Sequence, residues 1–338
     1  MGSLKALTLA GGVAMAAATA AHAADLLPPP PPAPVLAPVI EYSGWYLRGD
    51  VGVGAYNNPK LRTTPDPRGA QSSGWCSGID GNGNQDCYSG LTSTYDFHNQ
   101  RLSNSTFVDL GIGYQLNQWL RADATVEWRG GGHLSAVDQF NVNGAYTQNF
   151  YDNAGNYVGN GGSQPYTQSL RNFYRGNVSS IVGMVNGYVD LGTFWSVTPY
   201  IGAGVGVAQN RLHGLTDQGF NYAGVGGAAN GYPTGGYFRD KNKTNFAWAL
   251  MAGVSYAVTA NLRLEIGYRY MNLGKMTSGG SQCFNADGSI GGAGCNWRVQ
   301  SNKIESQDVR IGMRWMLGQP EAPAPVAYFP ATPLRSKF

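Results

Sequence analysis

Polar and apolar residues alternate along much of this chain. Residues 262–271 read LRLEIGYRYM: Leu262, Leu264, Ile266, Tyr268 and Tyr270 alternate with Arg263, Glu265, Gly267 and Arg269. A period of two predicts a β-strand with one oily and one polar face. Eight such segments recur, near 45–56, 106–116, 119–129, 178–191, 197–209, 245–258, 262–271 and 306–317. Each has about ten residues or more, the length that a tilted membrane-crossing strand needs. Strands of soluble sandwiches average about five or six. Short connections near 117–118, 192–196 and 259–261 alternate with connections of about 30 residues or more. That alternation predicts an antiparallel up-and-down β-barrel with short turns at one end and long loops at the other.

The oily face of each strand is expected to meet lipid and the charged face the lumen. In the third segment Leu120, Ala122, Ala124, Val126 and Trp128 oppose Arg121, Asp123, Thr125, Glu127 and Arg129. An eight-stranded ring leaves an interior just wide enough for side chains. The lumen-facing charges are then Arg48, Arg121, Arg129, Arg263, Arg269, Arg310 and Arg314 against Asp50, Asp109, Asp123, Glu127, Asp190, Glu265 and Asp308. The signs balance, as buried charge requires, and the cations are all Arg, whose planar fork suits paired carboxylates. Glycines on the same face are expected to make room for the long Arg chains. Such a filling predicts a plug more than a channel. Turning one Arg into lipid would cost about 2–4 kcal/mol at mid-bilayer, so register is strongly set. Trp45, Trp119 and Trp315 fall at one predicted interface, and Trp128, Trp248, Tyr268 and Tyr270 at the other, as two aromatic girdles.

Composition agrees with a membrane barrel. Charged residues make up 13% of the chain, against about 25% in soluble proteins, and glycine is abundant. A net charge of +3 without a basic run offers nothing to nucleic acid. Beyond the N-terminus no apolar run is long enough for a transmembrane helix. Residues 1–23 have the form of a signal peptide: Lys5, an apolar run, and Ala21-His22-Ala23 at the cleavage point. Residues 24–43 carry Pro28 to Pro32 and are expected to be an extended periplasmic spacer. The barrel is assigned to residues 44–317, and a second Pro-rich periplasmic tail to 318–338, where Pro330 and Pro333 exclude a further central strand. An exported chain permits disulfides. Cys76, Cys87, Cys283 and Cys295 allow three pairings. The two local ones are favoured because each closes a short Gly/Asn/Ser-rich loop.

Three stretches carry a resemblance: SGWYLRGDVGVG, NGYVDLGTFWSVTPYIGAGVGVA and FAWALMAGVSYAVTANLRLEIGYRYMNLG. They resemble the small outer-membrane surface proteins of alphaproteobacteria, a family grouped with the opacity-protein and OmpA-type eight-stranded barrels. The run from Arg310 to Leu317 is similar to the final-strand signal that the barrel assembly machinery reads in such families. The likeness covers mostly strands and implies nothing about a ligand. It implies residence in the cell outer membrane, with membrane lipid and the assembly machinery as partners. Peptidoglycan and a host surface are further candidates.

Little in the chain points to chemistry. His98, His133 and His213 all fall in outer loops, where three imidazoles could gather on haem iron or another metal. Solvated loop histidines are the simpler expectation, so no cofactor is assigned. Asp80-Gly-Asn-Gly-Asn-Gln-Asp86 spaces its oxygens as a calcium loop does, yet Gln85 and Leu91 stand where that loop needs Gly and Glu. A lipid A-modifying enzyme would need a histidine near the lipid-facing rim, and no predicted strand carries one. The expected function is that of a non-enzymatic envelope protein that presents four large loops. The alternatives are a small-solute or ion pore, and capture of a ligand such as haem by the loops.

Overall fold

The computed structural model describes residues 44–65, 74–284, 290 and 295–317. The expected signal peptide, spacer and tail lie outside these. The described residues form fourteen β-strands. Eight make the barrel wall: β1 (Gly44–Tyr56), β5 (Ser105–Gln115), β6 (Leu120–Tyr151), β7 (Tyr157–Asp190), β8 (Val197–Val225), β10 (Lys241–Ala257), β11 (Leu262–Gly274) and β14 (Ile304–Met316). The other six belong to the long connections: β2 (Leu61–Thr64), β3 (Trp75–Cys76), β4 (Asn84–Leu102), β9 (Ala228–Phe238), β12 (Ser281–Cys283) and β13 (Arg298–Ser301).

Each wall strand pairs antiparallel with its neighbour in the ring, and β14 closes it on β1 through Leu47↔Trp315, Val51↔Ile311 and Val53↔Val309. Closure leaves no free edge within the wall. Polar side chains hold two of the tight turns. Asn117 Oδ1 accepts the Trp119 and Leu120 amides at 3.0 and 2.8 Å, and Thr259 Oγ1 accepts that of Leu262 at 3.0 Å.

Side-chain direction follows the alternation in the sequence. Along β6, Arg121, Asp123, Thr125, Glu127 and Arg129 point inward and are buried. Ala122, Ala124, Val126 and Trp128 point outward, as do Leu110 (68% exposed), Val185 (62%) and Ile266 (56%) on other wall strands. A band of exposed branched apolar residues around a charged interior is the inverse of a soluble sheet. It fits a cylinder solvated by hydrocarbon.

Wall strands β6, β7 and β8 continue past the membrane rim. A glycine with positive φ marks that level in β6 (Gly131, +81°) and β8 (Gly214, +59°), and Gly274 (+78°) ends β11. Register shifts accompany all three sites. At such a bulge one extra residue swaps the strand's faces. Odd-numbered residues face inward below Gly131, and Leu134, Ala136 and Asp138 face inward above it. Above the rim the sheet runs β3-β4-β6-β7-β8-β9-β12. The long connections, read from sequence as loops, are thus largely ordered β-structure. β2 pairs with β13 as a separate two-stranded sheet.

A single interior glycine can test the inside-out arrangement. A Cβ on lumen-facing Gly253 would stand 2.6 Å from the Tyr200 hydroxyl and 2.5 Å from the Ile266 carbonyl. Gly253→Val should therefore cost about 1–3 kcal/mol. Ala252→Val, next door on the lipid face, should stay within about 0.5 kcal/mol. Urea unfolding in detergent micelles, followed by heat-modifiable migration, reads both; equal effects would place both side chains in the same environment.

Candidate functional site: the barrel interior and its extracellular cap

The inner half of the barrel is a lattice of guanidinium and carboxylate groups. Arg48 pairs with Asp50 at 2.8 Å, Asp123 at 2.7 Å and Glu265 at 3.5 Å. Glu265 also takes Arg121 at 3.3 Å and Arg314 at 3.2 Å, and Arg121 reaches Asp190 at 3.2 Å. A second group sits nearer the extracellular end. There Arg129 pairs with both Glu127 and Asp308. Arg269 joins the same two carboxylates at 2.5 and 2.9 Å. Arg121 and Arg129 are wholly inaccessible. Thirteen of the fourteen charges expected in the lumen are buried there; the fourteenth, Arg263 at the inner mouth, is half-buried. Asp109 and Arg310 flank Asp50 and are in no ion pair among the described residues.

Aromatic rings complete the lattice, and sequence reasoning missed them. Tyr46, Phe107, Tyr188 and Tyr200 are buried on the polar face. The Arg121 guanidinium lies 4.2 Å from the Tyr188 ring centre and 4.7 Å from that of Tyr200. Arg129 and Arg269 both approach the Phe107 ring, at 4.7 and 4.8 Å. A ring face is one of the few apolar surfaces that attract a dehydrated cation. The rings also correct the expectation about glycine. Gly52 faces Phe107, Gly113 faces Tyr46, Gly202 faces Tyr188, and Gly253 and Gly267 face Tyr200. Contact with Arg chains is confined to a few positions, such as Gly54 beside Arg129 at 3.1 Å and Gly111 beside Arg48 at 3.2 Å. Five of the lumen-facing glycines thus clear space for rings.

Beside and above the outer group the interior changes character. Val178, Val182 and Met184 of β7, Ala208 and Leu212 of β8, and Ala247, Ala249 and Met271 of β10 and β11 form one buried apolar cluster. Leu61, Met276 and Val299 from the outer connections pack onto it. Higher still, Asp138 accepts the hydroxyls of Tyr95 and Tyr174, both at 2.8 Å, and the Asn172 amide side chain at 3.0 Å. Asp217 pairs in register with Tyr174 and is also buried. Burial, and then the nearby Asp138 charge, push the Asp217 carboxyl up to about 6. Burial also raises Asp138, against the hydrogen bonds from Tyr174 and Tyr95 that lower it.

The remaining expected site residues divide clearly. Trp45, Trp119, Trp128, Tyr268 and Trp315 are exposed on the outer face. Trp248 and Tyr270 are partly covered, with ring centres 5.5 Å apart. Disulfides join Cys76 to Cys87 and Cys283 to Cys295. His133 and His213 both pair in register with Asn177, and His133 Nδ1 lies 2.7 Å from its side-chain oxygen. His98 pairs with Val137 on another part of the sheet. No three His, Cys, Asp or Glu residues are placed to hold a metal ion among the described residues. Asp80 is occupied by its own turn: Oδ1 accepts the Asn82 and Asn84 amides, each at 2.8 Å. Asp152 makes the same closure with Ala154 and Asn156. These are Asx-type tips.

The lattice and the upper carboxylates make separate predictions. Glu265→Ala leaves Arg314 without a carboxylate partner and should destabilise the folded barrel by about 3–5 kcal/mol. Replacing Arg314 by Met as well should recover a large part, as unfolding midpoints in the same micelle would record. For Asp217 the folded value stands above the ordinary carboxylate range, so its stabilising contribution is complete below about pH 4 and is lost as pH rises through 6. The extracellular sheet should thus become more stable on acidification from pH 7 to 4.5. Asp217→Asn should remove a contribution on the order of 2–3 kcal/mol from that dependence. Hydrogen exchange in 213–222, corrected for intrinsic rates, checks it; an unchanged pH profile would refute it.

Known proteins place the chain. The model of the Opacity family porin protein matches residues 135–293. A Brucella suis biovar 1 protein of unassigned function is 29% identical over 309 residues, covering 88% of this chain and 93% of its own. Outer membrane protein PagN of Salmonella typhimurium is 38% identical over 94 residues, 28% of this chain and 34% of its own. A candidate adhesin of Rickettsia prowazekii is 24% identical over 272 residues, 80% of this chain and 86% of its own. With the lipid-facing band and closed ring described above, these matches make the chain an antiparallel β-barrel of the cell outer membrane, similar over residues 135–293 to the opacity-family porins.

Proposed function

We propose that the barrel is a closed anchor whose task is to present its extracellular β-structure as a contact surface. The observation that carries this reading is the filled interior. A permeant ion would have to pass the paired lattice around Glu265 and then a level where Val182, Ala208 and Met271 pack beside the paired Glu127, Arg129 and Arg269. The charges there are already engaged with one another, and the apolar side chains offer an ion nothing for its lost water. The small-solute pore is therefore the weaker reading.

What the anchor presents is shaped for contact. The upper parts of β6, β7 and β8 pair from Gly132 to Tyr151 and from Tyr166 to Val225. Phe173, Phe220 and Tyr222 stand exposed on this part of the sheet. Exposed aromatic side chains on a rigid sheet are the usual material of a recognition surface. The adhesin name of the Rickettsia relative supports the same direction, with another cell's surface as the partner class. Haem capture finds less support, since the three histidines are divided between separate stretches of the sheet.

Planar bilayers test the closed state. Purified protein should give no stable conductance steps at 1 M KCl. A doubly opened variant, Val182→Ser with Met271→Ser, should begin to flicker. Regular steps from the unmodified protein would overturn the reading and restore the pore.

A further inference from the structure

The five lysines among the described residues are Lys60, Lys241, Lys243, Lys275 and Lys303, and none is in the lumen. All lie just beyond the extracellular rim, in the sector formed by β10, β11, β14 and β1 with their outer connections. Lys60, Lys275 and Lys303, together with Arg62, line one cavity of about 510 Å³. Its other walls include Leu61, Asn302 and Glu305. The four cations thus face a single carboxylate. None of the four is in an ion pair among the described residues, and Glu305 is engaged by the Asn272 side chain at 3.4 Å. The cavity is held in shape by backbone. Lys60 N donates to Asn302 Oδ1 and its carbonyl accepts Asn302 N, both at 2.9 Å; Glu305 N donates to Asn57 Oδ1 at 2.8 Å.

Register gives the height of this cavity. On the outer face Val53, Val309 and Tyr268 form one row, and Ala55, Gln307 and Tyr270 the next. The row after that holds Glu305 and Asn272, at the cavity wall. One ladder step of two residues is about 7 Å. The cavity therefore opens just above the outer aromatic girdle, at the level of lipid headgroups, with lipid-facing wall directly beneath it.

We propose that this cavity binds the phosphate of a phosphorylated glycolipid headgroup in the outer leaflet. An ammonium is a compact, hydrated point charge that suits a phosphate monoester held at a water-exposed rim. Three lysines and one arginine lining one cavity favour a ligand that carries negative charge. The position favours a membrane component over a soluble one, because an acyl chain attached to the bound headgroup would run down the exposed Val309 and Ile311 column. Leu61 supplies an apolar wall for the sugar.

The test compares four probes on the full-length protein in phosphatidylcholine nanodiscs or micelles: bisphosphorylated lipid A, its dephosphorylated form, inorganic phosphate and heparin. Bisphosphorylated lipid A should bind, and the dephosphorylated form should not. Lys60→Gln/Lys275→Gln/Lys303→Gln should weaken binding by about 100-fold, taking about fivefold for each lysine. Lys241→Gln/Lys243→Gln, off the cavity, should do far less. Heat-modifiable migration verifies that each variant is folded. Equal binding of the dephosphorylated form, or no loss in the triple variant, would overturn the proposal. So would inorganic phosphate binding as tightly as lipid A, or heparin alone depending on the three lysines; these would assign the cavity to a free anion or to a soluble polyanion. Conductance is unchanged in every case, so a failure here is distinguishable from failure of the closed-barrel reading.

Discussion

The structure depends on one constraint: the wall is solvated by hydrocarbon, so every charge its strands carry must be neutralised within a ring of eight strands. Removing an ion pair from water is costly, and close attraction repays that cost only when geometry and hydrogen bonding are good. The lattice meets this demand by sharing. Glu265 serves three guanidinium groups and Arg48 three carboxylates. Glu127 and Asp308 are bridged twice, by Arg129 and by Arg269. Shared ions tie β1, β6, β7, β11 and β14 across the lumen as well as around the wall. Slipping any one strand by a residue would turn its charges into lipid and strand their partners.

Charge neutralisation alone would not fill the cylinder. Tyr46, Phe107, Tyr188 and Tyr200 occupy the volume that glycines leave on facing strands, and their faces attract the Arg groups. Toward the outside the lattice gives way to aliphatic packing, which needs no pairing and so tolerates contributions from separate outer connections such as Leu61, Met276 and Val299. The wall of one compartment is thus the floor of the next. The extracellular sheet inherits its strands from the barrel and its own small core from the cluster beneath, which explains how connections of such length are ordered.

Much of this was legible in the chain. Alternation located all eight wall strands, and the sorting of Arg121, Asp123 and Glu127 against Ala122, Ala124 and Val126 gave the direction of each face. The pattern ends β6 near Arg129 and β8 near Gln209, and starts β7 near Val178, because the period changes phase close by, at Gly131, Gly214 and between Arg175 and Asn177. A bulge preserves the strand and shifts the pattern by one, so the signal fails although the pairing continues. The phase change itself was visible: Leu134, Ala136 and Asp138 keep a period of two, on the opposite parity. The lumen rings were hidden for another reason. An aromatic residue carries no mark of its solvent, and only its parity with Arg48 or Asp190 distinguishes Tyr46 and Tyr188 from girdle residues. Which groups meet in space, such as His133 and His213 around Asn177 without His98, depends on the register between distant strands and could not be read along the chain.

The division of cations between lumen and rim follows from the same constraint. The lumen admits only arginine, since a guanidinium is weakly hydrated, binds two carboxylates at once and lies flat against a ring. An ammonium buried there would lose more hydration and could not bridge Glu127 and Asp308 in the plane that Arg129 and Arg269 do. At the rim the constraint lifts: water is present, and long stems can lie along the wall while the heads stay hydrated. Lysine is thus kept out of the lumen, while the extracellular part carries both cations, with Arg62 beside Lys60, Lys275 and Lys303. A chain with this few charges carries lysine at Lys60, Lys275 and Lys303 around one cavity, in the layer where anionic headgroups are concentrated. A balanced interior gives no reason for that clustering, since nothing inside needs those charges.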